Sequence, residues 1–597
     1  MRPICCFALT LLLAAPLSVS AFAAEPGAPD ALITRAEAIR LAVQTQLSQK
    51  FTATTEHKKD EKGALVEYYS VPDQKLLWVD ENGLTDRGKA IIAEINEAND
   101  YGLRASDYVV PDMTGFDPHD ADATEQLADA EVKISHAVLD YAHDARGGRI
   151  NPQRISKNLD PTLALPDPLE VIESISFRAD PAAYLRSFQP DQPQFELLRK
   201  KLIELRGGGA EAKNNEPEIQ IPNGPLLKFG VVDPQVALLR TRLDVPEGQN
   251  PNVYDEAVLD AVRKFQVEHN TSPDGVVGPG TRRLLNQPHL RSMGSPSQIK
   301  TILLNMERWR WLPHDLGSFY VMVNIPEFML RVYKDDEVAY TTRVVVGKPD
   351  KQTPVFANEM QTVVFGPYWN VPTSIKVEEI RPYVRPSGGF FFGGGGWNTS
   401  VFDRHNLRIK YGGREVDPGS LDWSRVDIRN LHLYQPPGPG NVLGRVKFVF
   451  PNKHDVYMHD TPQKHLFAKQ VRAESHGCMR VQNPDQFASV IMNHDQGWSQ
   501  ARTRSAFDTG YDMQVGLHRH IPVYISYFTL RVNEDGSITT FRDLYGHDAR
   551  MAAALFDGQT NFAAPSDDEI LTQSIQQQGA QRRGRRDPTA GFFRGFN

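Results

Sequence analysis

The segment AESHGCMRVQNP, residues 473–484, contains the side chain best suited to covalent chemistry, the thiol of Cys478. The chain has three cysteines, and the remaining two are Cys5 and Cys6 near its start. A thiolate is a strong nucleophile, but a free cysteine with a pKa of ~8.5 is only slightly ionised at neutral pH. Cys478 therefore needs a nearby base to take its proton. The alternative is that Cys478 is a buried and inert thiol.

Two histidines near Cys478 are candidates for that base. His476 stands two residues before it, and His459 stands nineteen residues before it (478 − 459 = 19). On an extended segment, the side chains of residues 476 and 478 run parallel with Cα atoms roughly 6–7 Å apart, so they do not converge. A histidine on an adjacent strand approaches to ~4.5–5.5 Å between Cβ atoms. The spacing favours His459 as general base and leaves His476 to shape the pocket or assist substrate.

The neighbours of these residues suggest supporting roles. The base needs an acceptor for its other ring nitrogen, and the expected acceptor is a backbone carbonyl, that of Asp460 or of a nearby residue, with the Asp460 side chain as the alternative. Gly477 permits close backbone approach, and the amides of Gly477 and Cys478 are candidates for an oxyanion hole. Arg480 shares a face with Cys478 on an extended segment, where its guanidinium lowers the thiol pKa or binds a carboxylate.

A metal site is the main competing use of the same side chains. Nitrogen and sulfur ligands of the kind that zinc takes are offered by His454, His459, His465, His476 and Cys478. No C-x₂-C or H-E-x-x-H pattern accompanies them. A papain-like enzyme places its nucleophile before its histidine, whereas Cys478 follows His459. The sequence therefore predicts a cysteine nucleophile with no metal and no cofactor.

The first residues predict export. Arg2 precedes an apolar run from Ile4 to about Leu17, and Ala21-Phe22-Ala23 supplies small residues at the spacing of a cleavage site. We expect a signal peptide over residues 1–24, with an uncleaved anchor as the alternative. Cleavage would remove Cys5 and Cys6 and leave one thiol in an oxidising compartment, the periplasm. No later stretch reaches the ~18 consecutive apolar residues of a spanning helix, so we expect no stable membrane span.

Composition narrows the classes of partner. The formal net charge is −8 and the pI is near 6.1, so the composition does not favour nucleic acid as a binding partner. A length of 597 residues predicts three or four domains. The oligomeric state stays open.

Patterning along the chain predicts the elements that must position Cys478. Residues 30–205 have helical periodicity and capping residues, residues 206–225 form a Gly- and Pro-rich linker, and residues 226–288 form a small helical module. Short runs of alternating apolar residues, with Asp335-Asp336 at a hairpin turn, predict a β-dominated catalytic domain over 300–548. Within it, the glycine-rich residues 381–430 are expected to form a flexible cap. Residues 549–597, with an Arg-rich cluster, are expected to be a disordered tail.

Several of these segments resemble one known family. HDTPQKHLFAKQVRAESHGCMRV, residues 459–481, is similar to the signature of L,D-transpeptidase catalytic domains: a histidine, about fifteen residues, then Ser475-His476-Gly477-Cys478. NMERWRWLP (305–313), VNIPEFMLRVY (323–333) and DARGGRINP (144–152) resemble the large, multi-domain form. AVRKFQ and DGVVGPGT in the helical module resemble a three-helix peptidoglycan-binding module. The implied fold is a helical scaffold, this module and a β-dominated catalytic domain. Some smaller members carry Asn where this chain has Arg480, which leaves the role of Arg480 open.

The resemblance implies a two-step acyl transfer on peptidoglycan stem peptides and glycan. Cys478 would attack the carbonyl of the third residue of a tetrapeptide stem, expel terminal D-Ala, and pass the acyl group to a side-chain amine of a second stem, forming a 3→3 cross-link. Water as acceptor would make an L,D-carboxypeptidase, and a lipoprotein or D-amino acid would make an anchoring or exchange enzyme. Two further possibilities are a non-catalytic wall-binding protein and a general cysteine peptidase.

Overall fold

The computed structural model describes residues 33–49, 56–72, 74–207, 219–243, 245–248, 250–268, 273–286, 296–387, 396–509 and 511–558. The predicted signal peptide and the Arg-rich part of the predicted tail lie outside these ranges. Within them, no helix combines the length and the apolar character that crossing a bilayer requires.

The chain divides into two compact units, residues 1–89 with 110–136 and residues 90–109 with 137–597. The N-terminal third is helical, as its periodicity predicts. Its elements are α1 (Arg35–Ser48), α2 (Glu56–Ser70), β1 (Val79–Asp80), β2 (Gly83–Leu84), α3 (Asp86–Asn96), α4 (Ala123–Gly147), α5 (Pro152–Ile155), α6 (Pro168–Phe177), α7 (Pro181–Arg186) and α8 (Pro193–Leu205).

A buried carboxylate organises the core of the first unit. Glu131, on α4, is fully buried and accepts hydrogen bonds from the amides of Trp78 at 2.9 Å and Val79 at 3.1 Å. The hydroxyl of Tyr69 donates to the same carboxylate at 2.6 Å. Burial raises the pKa of Glu131, and these donors offset part of that effect. The carboxylate thus ties α4 to α2 and β1, as a scaffold requires.

The small helical module contains α9 (Pro234–Leu243), α10 (Glu256–Glu268) and α11 (Pro279–Leu285). The side chain of Gln266 on α10 holds the turn that follows: it donates to Asp274 Oδ1 at 2.8 Å and accepts from Gly275 N at 2.8 Å. Arg282 Nε donates to the carbonyl of Pro222 at 2.9 Å. Residues 219–225 therefore belong to the module, which corrects the predicted linker of 206–225; the buried Ile221, within a polar stretch, gave too weak a signal.

The predicted catalytic domain begins with α12 (Pro296–Trp309) and continues in strands. The strands are β3 (Phe319–Asn324), β4 (Met329–Lys334), β5 (Glu337–Gly347), β6 (Phe356–Phe365), β7 (Trp369–Asn370), β8 (Arg385–Pro386), β9 (Trp397–Asn398), β10 (Arg408–Tyr411), β11 (Arg414–Val416), β12 (His432–Gln435), β13 (Val446–Val449), β14 (Met458–His459), β15 (Ala473–Ser475), β16 (Met479–Val481), β17 (Met513–Ser526), β18 (Leu530–Val532) and β19 (Ile538–Thr540). The interspersed helices are α13 (Thr373–Ile375), α14 (Ser400–Arg404), α15 (Pro484–Gln496), α16 (Gln500–Thr509) and α17 (His547–Asp557).

A nine-stranded sheet carries the site, in the order β15-β5-β16-β14-β13-β6-β17-β3-β4. In addition, β5, the second strand of this order, pairs with β4, the last one. Asp335 and Asp336 have positive φ values of 50° and 64°, the conformation of a tight hairpin turn, as predicted between β4 and β5. Alternate residues of the strands, such as Val321 and Val323, pack into one large hydrophobic core.

Much of the predicted cap is folded. Strands β11, β10, β12 and β7 form a four-stranded sheet, and residues between Trp369 and Leu443 share a separate hydrophobic core that includes Phe402 and Trp423. The expected long loop over 381–430 is therefore replaced by a small subdomain, which we call the cap subdomain (residues 369–443). Its apolar residues are irregularly spaced, so no strand or helix period revealed them. Residues 388–395, in its glycine-rich stretch, lie outside the described ranges.

The predicted tail begins too early. Residues His547–Asp557 form α17, and its Met551 and Leu555 are buried in the same large hydrophobic core as Val321 and Val323. The polar stretch that suggested a tail begins only after this helix.

Candidate active site

Two adjacent parallel strands, β14 and β16, bring the predicted residues together. Met458 pairs with Met479, and His459 pairs with Arg480. Both methionines are fully buried in the core, so the alternating neighbours project from the other face of the sheet. The amide of Met479 donates to the carbonyl of Tyr457 at 3.1 Å, which places Cys478 beside Tyr457. His459, Cys478 and Arg480 thus share one face.

The turn before Cys478 depends on Gly477 and Ser475. Gly477 has a φ of +114°, in the region that favours glycine. The Ser475 hydroxyl donates to the carbonyl of Cys478 at 2.5 Å and accepts from the amide of Gly477 at 3.2 Å. Ser475 therefore fixes the turn that presents the thiol.

A buried threonine from a distant segment supports the same turn. Thr353 Oγ1 donates to the carbonyl of Gly477 at 2.7 Å and accepts from the amide of Gly347 at 2.9 Å. The hydroxyl of Tyr545 donates to the carbonyl of Gly347 at 2.8 Å. Sequence reasoning missed Thr353 and Tyr545, because neither lies near a motif.

His459 is held as a neutral imidazole. It is buried, and its Nδ1 lies 2.5 Å from the backbone carbonyl oxygen of Asp460. The Asp460 carboxylate instead accepts from Arg445 N at 2.9 Å and Lys464 Nζ at 2.5 Å. Of the two acceptors considered from the sequence, the structure gives His459 the backbone carbonyl. Burial, with a smaller contribution from Arg480, lowers the pKa of His459 to about 3.

The thiol of Cys478 is also neutral in this state. Burial raises its pKa to about 11, although hydrogen bonding to Tyr457 and the nearby charges of Arg480 and Lys447 act in the opposite direction. Its Sγ lies 3.8 Å from the carbonyl oxygen of Asp455. Among the described residues, no hydrogen bond joins Sγ to His459. The structure therefore shows a neutral thiol and a neutral imidazole on one sheet face, one diagonal position apart: His459 lies opposite Arg480, and Cys478 lies beside Tyr457. The sequence analysis expected the two side chains to lie directly opposite each other.

Two cations flank the pair on the same face. Lys447 pairs with His459 across β13 and β14, and Arg480 pairs with it across β14 and β16. Residues directly opposite one another point to the same side of a sheet. Arg480 also donates to the side chain of Gln463. Both cations favour a thiolate and disfavour an imidazolium. The sequence analysis did not identify Lys447, because only the register of β13 against β14 brings it to the site.

The two amides proposed for an oxyanion hole differ. The amide of Gly477 is engaged by Ser475 Oγ. The amide of Cys478 has no acceptor among the residues that the structure describes. Cys478 N–H is therefore the better placed donor of the two for a developing oxyanion.

His476 contacts the cap subdomain and not the thiol's base. Its Nε2 lies 2.5 Å from Oε1 of Glu379, on the short π-helical segment Lys376–Ile380. Sequence reasoning missed Glu379, which stands 97 residues away.

The remaining histidines of the zinc hypothesis point elsewhere. His454 Nε2 lies 2.8 Å from Asp160 Oδ2, and His465 is exposed on the 3₁₀ segment Lys464–Ala468. A large cavity of about 1,010 Å³, lined among others by Trp309, Tyr320 and Phe528, includes none of the predicted site residues.

Comparison with known proteins assigns families to three segments. Residues 318–496 match the L,D-transpeptidase catalytic domain, residues 231–285 match a family described as "putative peptidoglycan binding domain", and residues 63–202 match a scaffold domain. The first two matches confirm the resemblances found in the sequence, and together the three confirm the multi-domain fold class.

A relative and two solved structures are similar to parts of the chain. A protein of Haemophilus influenzae, named "putative L,D-transpeptidase", is 30% identical over 253 residues, 42% of this chain and 49% of that protein. The chain thus matches about half the length of this curated relative. An L,D-transpeptidase from Mycobacterium smegmatis is 13% identical, covering 35% of this chain and 58% of that one with a TM-score of 0.16. A cysteine-to-serine mutant of an Enterococcus faecium L,D-transpeptidase is 12% identical, covering 35% and 50% with a TM-score of 0.14.

The family matches, and not these low structural scores, carry the assignment. Cys478 and His459 both fall inside the matched catalytic segment. The chain therefore combines a segment that matches the L,D-transpeptidase catalytic domain with segments that match a scaffold domain and a putative peptidoglycan-binding domain.

Proposed function

We propose that this protein is a periplasmic, cysteine-dependent L,D-transpeptidase that forms 3→3 cross-links between peptidoglycan stems. The observation that carries the proposal is the common sheet face of Cys478 and His459, with Lys447 and Arg480 on either side of His459. The family match of residues 318–496 and the name of the Haemophilus influenzae relative support the reaction class.

The first half-reaction is acylation of the thiol. His459 takes the proton of Cys478 as Sγ attacks the carbonyl carbon of the third stem residue. The new C–S bond forms a tetrahedral intermediate whose oxyanion accepts from Cys478 N–H. The C–N bond to terminal D-Ala then breaks, and the proton on His459 passes to the departing amine.

The resting state explains why free thiol would not react indiscriminately. With the thiol pKa near 11 and the imidazole pKa near 3, an ion pair is strongly disfavoured before substrate arrives. A substrate carbonyl beside Sγ lets proton transfer and C–S bond formation occur together, so no free thiolate has to accumulate. The second half-reaction transfers the acyl group from sulfur to the side-chain amine of another stem.

The peptidoglycan-binding domain would hold the enzyme on its polymeric substrate. It has its own hydrophobic core, which includes Leu239, Tyr254 and Val262. Tethering raises the local concentration of stems without adding contacts at the thiol. Export by the predicted signal peptide would place both domains in the wall compartment.

Residues 25–597 incubated with a disaccharide-tetrapeptide would test the proposal, with products followed by mass spectrometry. We expect a dimer lacking one alanine and an acyl adduct on Cys478. Tripeptide monomer alone would indicate the carboxypeptidase, and an unmodified Cys478 with peptidoglycan binding alone would indicate a wall-binding protein. The Cys478→Ala protein should retain binding and lose both products.

A further inference from the structure

We propose that Glu379 forms the acceptor site of this enzyme: Glu379 Oε2 binds the ammonium group of the incoming amine, and His476, through its contact with Oε1, holds the carboxylate beside the turn of the thiol. This inference rests on the proposed function and names the residue that binds its acceptor amine. It concerns the second half-reaction, whereas His459 serves both.

The contact between the two side chains places a carboxylate beside the nucleophile's turn. His476 stands two residues before Cys478, and its Nε2 lies 2.5 Å from Glu379 Oε1. The side chain of Glu379 is only 16% exposed. Its second oxygen, Oε2, is buried and has no hydrogen-bond partner among the described residues.

A half-satisfied carboxylate beside a reactive centre requires an N–H or O–H donor. Leaving such an oxygen buried without a partner costs on the order of 1–3 kcal/mol, so a ligand that supplies a donor recovers this free energy. An ammonium supplies up to three donors and a positive charge, and therefore matches this oxygen better than water does.

Charge is distributed so that an ammonium is favoured on this side of the thiol. Lys447 and Arg480 lie on the strand side, where they repel a cation. On the side of the cap subdomain, Lys351 Nζ already binds Glu378 at 2.9 Å. Two adjacent carboxylates, Glu378 and Glu379, therefore face one lysine, and Glu379 has no lysine or arginine partner among the described residues.

The transfer step moves two protons from the incoming nitrogen. The ammonium bound to Glu379 loses one proton to water. The neutral amine nitrogen attacks the thioester carbonyl carbon and forms the C–N bond. The nitrogen's second proton passes to His459, the C–S bond breaks, and His459 returns the proton to the departing Sγ of Cys478. The products are an amide and a free thiol.

The test compares the fate of the acyl-enzyme in wild-type protein and in Glu379→Gln. Both are acylated with disaccharide-tetrapeptide, and the ratio of cross-linked dimer to tripeptide is measured over a range of concentrations of an added amine-bearing stem. In Glu379→Gln we expect this ratio to fall about 10- to 100-fold, the range of a hydrogen bond to a charged group, and the KM for the amine to rise. The rate of adduct formation on Cys478 should fall much less. Glu379→Asp should recover part of the ratio.

Glu378→Gln is the matched control. It removes the neighbouring contact between the cap subdomain and Lys351 and leaves the Glu379–His476 contact in place. We expect its product ratio to equal that of the wild type. A wild-type ratio in Glu379→Gln would overturn the inference, as would an equal loss in acylation and transfer. Failure of the wild-type protein to form any adduct would overturn the proposed function itself.

Discussion

The imidazole Nδ1 of His459 lies 2.5 Å from the backbone carbonyl oxygen of Asp460, which fixes the ring with its proton on Nδ1. Nε2 is then the nitrogen that accepts the thiol proton. We expect His459→Gln to reduce the rate of Cys478 acylation by ~10²- to 10⁴-fold, the usual contribution of a general base. Mass spectrometry of the adduct measures this rate, and exposed His465→Gln is the control. A rate within threefold of wild type would remove His459 from the mechanism.

The thiol should respond to pH like a cysteine whose pKa is raised. Since its pKa is raised to about 11, we expect alkylation by iodoacetamide to be slow at pH 7 and to rise ~10-fold per pH unit up to about pH 10. Lys447→Met removes a charge that favours thiolate, so the reaction should be slower at each pH. A plateau in the wild-type rate below pH 9 would contradict the assignment of a resting thiol.

The acid stability of the fold should report on His459. Its folded pKa of about 3 lies below the unfolded value near 6.5, so the unfolded state binds the proton first as pH falls through this window. Protonation then favours unfolding, and the penalty reaches about 3 kcal/mol at pH 4. Denaturant unfolding at pH 7 and pH 4 should show a smaller loss of stability in His459→Gln than in wild type. An identical loss in both would show that another group governs it.

Thr353→Val should weaken the turn that carries the nucleophile. The substitution keeps the shape but leaves the carbonyl of Gly477 and the amide of Gly347 without their hydroxyl partner, at a cost of about 1–3 kcal/mol. We expect a lower free energy of unfolding together with slower acylation. Thr353→Ser restores the hydroxyl and should recover both quantities, whereas recovery of stability alone would limit Thr353 to a structural role.

Gly477→Ala should impair catalysis through the backbone. At a φ of +114° a side chain is strained by roughly 1–3 kcal/mol, and a Cβ would lie 3.3 Å from the carbonyl oxygen of Gln352. We expect slower acylation with near-native circular dichroism. Gly497→Ala, at a left-handed helix end with open space around it, is a control for positive φ away from the site.

The sequence predicted the local part of the site and missed the part that tertiary structure supplies. Cys478, His459 and Gly477 stand in one short stretch with recognisable spacing, and the structure brings Cys478 and His459 to adjacent strands. Lys447, Thr353 and Glu379 reach the site through strand register, a distant loop and the cap subdomain. Neither their residue types nor their neighbours in the chain indicate that they lie at the site, because each contact depends on the tertiary structure.

The errors in the predicted domain boundaries have a similar physical cause. Helix α17 buries only a few apolar residues, Met551 and Leu555 among them, and a polar stretch follows it directly. Ile221 alone marked the start of the module. The cap subdomain was not predicted because its sequence is rich in glycine. Its core residues are spread from Trp369 to Leu443 and follow no strand or helix period.

Strand β3, at the start of the catalytic sheet, lies between its hairpin partner β4 and β17, with Val321 opposite Val523, 202 positions later (523 − 321 = 202). Loop closure on that scale is slow compared with hairpin formation. Nearly the whole polypeptide must therefore be present in one compartment before this strand finds its second neighbour. A fragment that ends before Val523 would leave one edge of β3 unpaired and open to aggregation.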